Sequence, residues 1–289
     1  MSRRLPAAGT AILALLAVAA CAPADSNDEA SASSSSSASS CTPADLDTLT
    51  ASTLTIGTDK PAYEPWFQDD DPSNGKGFES AVAYAVAHQL GYTDDQVKWE
   101  TVIFTAAVQP GKKSFDFDIN QFSINDERKQ AVDFSSGYYD VTQAVVALKG
   151  NKAASATGLA GLKDLKLGAQ VGTTSYNAIK TVIDPSQTPA VFDDNDKAKL
   201  ALNNGQIDGL VVDLPTALYL ASAELDDGVV VGQLPATSDT PEQFGLVLGK
   251  NSSLTSCVSQ AVDTLRENGT LDKIETQWLT ESAGAPELK

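Results

Sequence analysis

The amino-acid sequence predicts an α/β fold, and three observations support this. From Thr53 onward, short apolar segments typical of β-strands alternate with segments of helical periodicity. Hydrophobic residues make up 42% of the 289 residues and charged residues 20%, a composition that can bury a sizeable core. The helical patterns fall between the strands, which favours largely parallel sheets. In such sheets, ligands bind at the carboxyl ends of strands, near helix N-termini.

The predicted elements follow one another in a regular order. One helix is indicated by Phe78, Val82, Val86 and Leu90, which recur every fourth residue and are followed by Gly91 at the expected end. The predicted strands cover residues 54–57, 97–102, 118–122, 143–148, 166–171, 207–212, 229–233 and 244–248. The predicted helices cover residues 78–90, 174–183, 197–202, 214–223, 252–268 and 271–279, with a short helix from residue 125.

Composition excludes several classes of function. With 20 Lys and Arg against 38 Asp and Glu, the net charge of -18 disfavours nucleic acid as a partner. One His and three Cys are too few for a His- or Cys-rich metal site, and we expect neither a metal nor a cofactor. Gly168–Gly172 lacks the lysine of a phosphate-binding loop. The acidic segment 69–75 lacks the residue spacing of a calcium-binding loop. His88 lies off the apolar stripe of its helix, so we interpret it as a surface residue and not as a catalytic base.

The N-terminus is typical of an export signal. Arg3 and Arg4 precede an apolar run over residues 7–20 that is too short to span a bilayer. The sequence Val-Ala-Ala-Cys at 18–21 resembles the lipobox of bacterial lipoproteins, which implies cleavage after residue 20 and lipidation of Cys21; the alternative is an ordinary signal peptide. Eight of the ten residues at 31–40 are serine, so residues 21–52 are predicted to form a tether and lead-in.

Two cysteines remain after Cys21. Cys41 lies where the tether meets the predicted folded body, and Cys257 lies in a late helical segment. Thiols outside the cytoplasm usually pair, so we expect a disulfide between them, with two free thiols as the alternative.

Three features point to a site for a free amino acid. Arg128 follows Ser123 and Asn125 at the start of a short helix, and its planar guanidinium matches a carboxylate. Residues 172–175 form a strand-to-helix junction whose free N–H groups favour an anion. Asp213 ends an apolar strand and could receive an ammonium group. Alternatively, Arg128 pairs with Asp126 or Asp133 on the surface, and Asp213 only caps a helix.

From about residue 54 to residue 279 the chain resembles the solute-binding proteins of polar-amino-acid ABC importers, known as bacterial extracellular solute-binding protein family 3. The matching stretches are residues 54–59, 77–79, 115–119, 123–128, 132–135, 138–139, 162–165, 168–175, 202–208, 212–215 and 268–270.

The resemblance implies roles for individual residues. Arg128 matches the residue that grips the ligand carboxylate, and Asp213 matches the acid that binds its ammonium. Ser123 and Thr174, with Thr173 beside it, match positions that add N–H or hydroxyl contacts. Tyr63 and Phe104 match aromatics that sandwich the ligand, and Asp59 matches an acid that meets its side chain. Gln121 departs from the small residue of several relatives and, with Trp66, crowds the side-chain end of the site.

The resemblance also implies a two-lobed periplasmic-binding-protein-like fold of type II with two hinge crossings. Residues 53–142 would form the first part of lobe 1, residues 143–243 lobe 2, and residues 244–289 the second part of lobe 1 followed by a C-terminal tail. The hinge would lie near Thr142-Gln143 and Gln243-Phe244. A ligand that touches both lobes would close them, and the closed form would then dock on a membrane permease.

The expected protein is therefore the monomeric, non-enzymatic substrate-binding component of an ABC importer, anchored by lipid to the outer face of the bacterial cell membrane. Asp59, Gln121 and Glu64 favour a polar or basic amino acid. Two alternatives remain at this point. One is a ligand sensor that is not coupled to transport, and the other is a small-carboxylate dehydratase on the same fold, for which Glu64 or Asp213 could supply the acid or base.

Overall fold

The computed structural model describes residues 41–236, 238, 240–279 and 285–289. The predicted signal peptide, Cys21 and the serine-rich segment lie outside these residues. The strands are β1 Leu54–Thr58, β2 Val97–Thr101, β3 Phe117–Asp118, β4 Val132–Val141, β5 Gln143–Leu148, β6 Leu167–Gln170, β7 Ala190–Phe192, β8 Gly209–Asp213, β9 Gly228–Gln233 and β10 Glu242–Gly249. The helices are α1 Phe78–Gln89, α2 Phe104–Ala107, α3 Asp126–Lys129, α4 Thr174–Ala178, α5 Asn195–Asn203, α6 Leu214–Tyr219, α7 Thr255–Glu267 and α8 Thr270–Trp278.

The described strands form two five-stranded sheets, in the orders β2-β1-β3-β10-β4 and β7-β6-β8-β5-β9. We call the first sheet and the helices packed on it the first half, and the second sheet and its helices the second half. The expectation of largely parallel sheets is wrong. In the first sheet β10 runs antiparallel to both β3 and β4, and in the second sheet β5 runs antiparallel to β8 and β9. The parallel pairs are β1 with β2 and β3, and β6 with β7 and β8.

Each half has its own core. In the first half, α1 buries the predicted stripe of Phe78, Val82 and Val86 together with residues of α7 and α8. Gly91 follows α1 with φ 86°, a left-handed conformation that glycine adopts without steric cost. In the second half, apolar clusters cover both faces of the sheet, so β8 is buried over nearly its whole length.

The chain passes between the two halves twice. Only Thr142 separates β4 of the first sheet from β5 of the second, and residues 234–241 lead from β9 back to β10. The C-terminal residues 285–289 also lie against the second sheet. Gln233 N donates to the Pro286 carbonyl at 2.8 Å, Leu288 N donates to the Gln233 carbonyl at 2.8 Å, and the Leu288 side chain is buried.

A disulfide joins Cys41 to Cys257 in α7, with 5.5 Å between the Cα atoms. The N-terminal lead-in is also held by Asp116, whose carboxylate accepts hydrogen bonds from Leu49 N and Thr55 N at 2.8 and 2.7 Å. These contacts fix the lead-in to the first half. None of the described helices combines the length and the apolar character that a membrane crossing requires.

Candidate functional site

A cavity between the two halves lies at the ends of strands from both sheets. Asp59 follows β1, Gln170 ends β6 and Asp213 ends β8. The lining residues of the first half are Asp59, Pro61, Tyr63, Phe104, Asn120, Gln121, Ser123 and Arg128. Those of the second half are Gln170, Thr173, Thr174, Ser175, Asn195, Val211, Val212 and Asp213. Every predicted ligand residue except Trp66 therefore lines this cavity.

Local hydrogen bonding orients Arg128. The Asn125 side chain accepts a hydrogen bond from Arg128 N at 2.9 Å, which caps the short helix α3. The buried guanidinium donates from Nη1 to the Ser123 carbonyl at 2.7 Å and from Nη2 to the Gly172 carbonyl of the second half at 2.9 Å. Burial lowers the pKa of Arg128 to about 10, so it stays protonated at neutral pH. A cation with further N–H donors therefore faces the cavity.

The surface alternatives for Arg128 do not hold. Asp126 pairs with Lys129 at 3.7 Å, and Asp133 pairs with Lys250 at 3.0 Å. Arg128 instead lies over the ring of Phe104, with its Cζ 5.4 Å from the ring centroid, and Phe104 stacks on Phe122. The aromatic ring thus forms part of the wall that holds the guanidinium.

Asp213 lies in the wall of the same cavity. Its carboxylate does not cap a backbone N–H of α6 and instead accepts a hydrogen bond from the Thr216 hydroxyl at 3.3 Å. Burial, and secondarily the charge of Glu242, raise the pKa of Asp213 to about 7. Arg128 and Asp213 influence each other's charge state, but no carboxylate forms a hydrogen bond to the guanidinium among the described residues. Such a cavity suits a molecule that carries both charges.

Hydroxyl groups from both halves meet beside Arg128. Ser123 Oγ and Thr174 Oγ1 lie 3.0 Å apart across the cleft. Thr173 caps α4 by accepting from Tyr176 N at 3.2 Å, and its own hydroxyl donates to the Gln170 carbonyl at 2.8 Å. Thr173 therefore stabilises the turn before α4, while Ser123 and Thr174 bring the two halves into contact.

Tyr63 and Phe104 line the cavity from the first half. The Tyr63 hydroxyl accepts a hydrogen bond from Asp196 N of the second half at 3.3 Å. Asp59 accepts from Phe104 N at 3.0 Å, so it also fixes the position of that ring. Trp66 is not a lining residue, because it is fully buried in the core of the first half with edge contacts to Phe78, Tyr139 and Phe244.

Gln121 has an unusual backbone. Its φ of 47° is left-handed, a conformation that costs a non-glycine residue energy. The fully buried Glu79 carboxylate accepts from Gln121 N at 2.7 Å, from the Gln121 side-chain amide and from the Tyr138 hydroxyl. Burial raises the pKa of Glu79 to about 7. Glu79 thus holds Gln121, and with it the neighbouring lining residue Asn120, in place.

Seven lining residues received no individual role from the sequence, although Ser175 belongs to the predicted junction 172–175. They are Pro61, Asn120, Gln170, Ser175, Asn195, Val211 and Val212. The rule that ligands bind at strand ends could have indicated Asn120 and Gln170, since both lie in or beside predicted strands. Ser175 instead depends on a long-range contact, because its hydroxyl donates to Gln143 at the first crossing at 2.6 Å. In the described part of the chain, no three or more His, Cys, Asp or Glu residues are grouped to hold a metal ion.

Comparison with known proteins defines the class. The model of the bacterial extracellular solute-binding proteins, family 3, matches residues 54–281. The chain therefore belongs to this family of extracellular solute-binding proteins. The expected α/β, two-lobed fold of type II is confirmed by solved structures of amino-acid-binding proteins that share it.

The chain is similar to several amino-acid-binding proteins. The L-cystine-binding protein TcyJ of Escherichia coli (strain K12) is 30% identical over 232 residues, which cover 78% of this chain and 82% of TcyJ. A solved ancestral arginine-binding protein bound to arginine is 33% identical with a TM-score of 0.64, covering 78% of this chain and 98% of that one. An ancestral amino acid-binding protein, a precursor of cyclohexadienyl dehydratase, is 29% identical with a TM-score of 0.64, covering 78% and 95%.

Proposed function

We propose that this protein is the substrate-binding component of an ABC importer and captures a free amino acid between its two halves. One observation carries the proposal: Arg128 of the first half and Asp213 of the second line a single cavity. The guanidinium would receive the ligand carboxylate, and Asp213 would receive the ammonium group. The names of the relatives support the same ligand class, since they bind cystine and arginine.

The roles of the other lining residues follow from this arrangement. Ser123 and Thr174 would add hydroxyl contacts at the carboxylate, with Thr173 shaping the loop beside them. Tyr63 and Phe104 would enclose the aliphatic part of the ligand, while Asp59 and Gln121 would meet a polar or basic side chain. Asp59 accepts from Phe104 N through Oδ2 and from Lys60 N through Oδ1, and each carboxylate oxygen keeps a further lone pair that could accept from the ligand.

Ligand capture would work by closure. Residues 53–142 and 244–279 would move as lobe 1 and residues 143–243 as lobe 2, about the crossings near Thr142 and Gln243. A ligand that contacts both lobes stabilises only the closed form, and a shift from 1:99 to 99:1 needs about 5.5 kcal/mol of differential affinity. A charge-assisted Arg–carboxylate pair together with ammonium contacts supplies energy of this order. The closed protein would then dock on the permease.

The protein would act as a monomer outside the cell membrane, anchored through lipid on Cys21. It would bind its ligand without chemical turnover. Mass spectrometry of the mature N-terminus and phase partitioning of a Cys21→Ala variant test the anchor. Retention of that variant in the membrane fraction would contradict it.

The central test is ligand binding. A thermal-shift panel of the twenty amino acids should identify a ligand, because a compound that binds only the native state raises the melting temperature. Calorimetry should then show that Arg128→Ala weakens binding by about 2 kcal/mol or more, since it leaves a buried carboxylate unpaired. Lys129→Ala is the matched control, because Lys129 is the next residue of α3 and its ammonium group pairs with the exposed Asp126. Equal affinities of the two variants would contradict the site.

A further inference from the structure

A hydrogen bond links the core of the first half to the second half. The Trp66 indole Nε1 donates to the Thr216 hydroxyl at 2.8 Å, and both residues are buried. Trp66 lies among Phe78, Tyr139 and Phe244, far along the chain from Thr216 on α6. Because donor and acceptor belong to different halves, this bond requires the halves to be together.

The link continues to the cavity. The Thr216 hydroxyl in turn donates to Asp213 Oδ2 at 3.3 Å. A hydroxyl has one hydrogen to donate and two lone pairs that accept, so Thr216 can serve the indole and the carboxylate at the same time. Two consecutive hydrogen bonds therefore run from the buried indole to the carboxylate that lines the ligand cavity.

We propose that Trp66 and Thr216 are positioning residues that couple closure of the two halves to the orientation of Asp213. The proposal rests on the proposed role of Asp213 as the ammonium-binding acid. Closure brings the indole N–H to the oxygen of Thr216, which leaves the hydroxyl hydrogen directed to the carboxylate. In the closed state Asp213 is then held in one orientation, and the hydrogen bond from Thr216 favours its charged form. Trp66 thus acts on the ligand through Thr216, without touching it.

The geometry makes Thr216 the position to test. Thr216→Val keeps the shape of the side chain and removes both hydrogen bonds, while Thr216→Ser keeps the hydroxyl and is the matched control. With the amino acid identified by thermal shift, we expect calorimetry to show about tenfold weaker binding for Thr216→Val and affinity within about twofold of the wild type for Thr216→Ser. Melting temperatures of all variants, measured without ligand, establish that they fold.

Two readouts separate positioning from a packing role. First, the pH below which binding weakens should be higher in Thr216→Val, because the hydroxyl stabilises the Asp213 anion. The charges of Arg128, Glu79 and Glu242 also influence the Asp213 carboxyl, but these residues are unchanged in every variant. Second, small-angle scattering of ligand-free protein should give a larger radius of gyration for Thr216→Val than for Thr216→Ser. Trp66→Phe, which keeps an aromatic ring but lacks the N–H, should reproduce both effects.

Several outcomes would overturn the coupling. Equal affinity and equal pH midpoints for the Val and Ser variants would show that Thr216 does not position Asp213. Additive losses in a variant carrying both Trp66→Phe and Thr216→Val would show that the two residues act separately. If the wild type binds an amino acid and Asp213→Asn abolishes binding while Thr216→Val does not weaken it, the coupling fails and the proposed function stands. If no amino acid binds, the proposed function fails, and the scattering comparison still decides whether the bond holds the halves together.

Discussion

Asp213 should make ligand affinity depend strongly on pH in a range where free amino acids keep their charges. Its carboxyl group must be ionised to pair with an ammonium group, and its pKa before binding is raised to about 7 by burial and by Glu242. The bound ammonium lowers this pKa, so binding below pH 7 must release a proton. Lowering the pH below about 7 therefore weakens binding, whereas changes of pH well above 7 have little effect on binding.

The size of the effect follows from the pKa of about 7. The apparent dissociation constant scales as one plus ten to the power of the difference between that pKa and the pH. Binding should be about tenfold weaker at pH 6 than at pH 8, and about tenfold weaker again at pH 5. Calorimetry in buffers of different ionisation enthalpy should also detect about one proton released per ligand at pH 5.5 and close to none at pH 8.

A variant identifies the titrating group. Asp213→Asn should bind the ligand weakly at every pH, and its affinity should be nearly constant between pH 8 and pH 5. Glu79, whose pKa is also about 7, is held by Gln121 and Tyr138 and remains in this variant. A wild-type profile that is flat over this range would refute the assignment of Asp213 to the ammonium group. A slope that survives in Asp213→Asn would assign the titration to Glu79 instead.

Three further predictions concern stability. Asp118 is fully buried, and among the described residues its carboxylate oxygens have no hydrogen-bond partner. Burial raises its pKa well above the usual value, so its charge opposes folding at high pH. Asp118→Asn should therefore raise the melting temperature in calorimetry at pH 8 and hardly at pH 4, and equal shifts would contradict this. Cys257→Ser should remove about 4 kcal/mol of stability because the bridge to Cys41 closes a loop of over two hundred residues, and reductant should then have no further effect on denaturant unfolding. Leu288→Ala should cost about 3 kcal/mol and speed amide exchange in β9, which the tail contacts through Gln233; unchanged exchange would show that the tail does not support that strand.

The parts of the site that sequence analysis located are those that local chemistry determines. Asn125 caps α3 three residues before Arg128, so the turn that directs the guanidinium is encoded within one short segment. Asp213 ends an apolar strand directly before a helix, a position that the strand pattern indicates. Both placements depend on neighbours within a few residues, and for this reason a single sequence reveals them.

The parts that sequence analysis missed depend on partners distant in the chain. β4 does not alternate cleanly, because Ser135 and Gly137 occupy its middle; the Ser135 hydroxyl accepts from Leu246 N of β10, and the pairing of the two strands shifts register there. Antiparallel pairing of this kind joins segments about a hundred residues apart, which local periodicity does not record. The same holds for Trp66, because size and apolar character alone do not distinguish an aromatic residue that faces a ligand from one that faces a core.

Arg128 links the contact between the two halves to the proposed ligand site. Two of its N–H groups already bind carbonyl groups, one on each half, at Ser123 and Gly172. With the halves together, the guanidinium is held by both bonds, and in the proposed mechanism a ligand carboxylate would become its third partner without further ordering of the side chain. A lysine could not replace it, since one ammonium group lacks the rigid planar geometry needed to reach both carbonyls and a carboxylate together. In the proposed mechanism, recognition and closure depend on the same guanidinium, so a substitution of Arg128 that weakens one should also weaken the other.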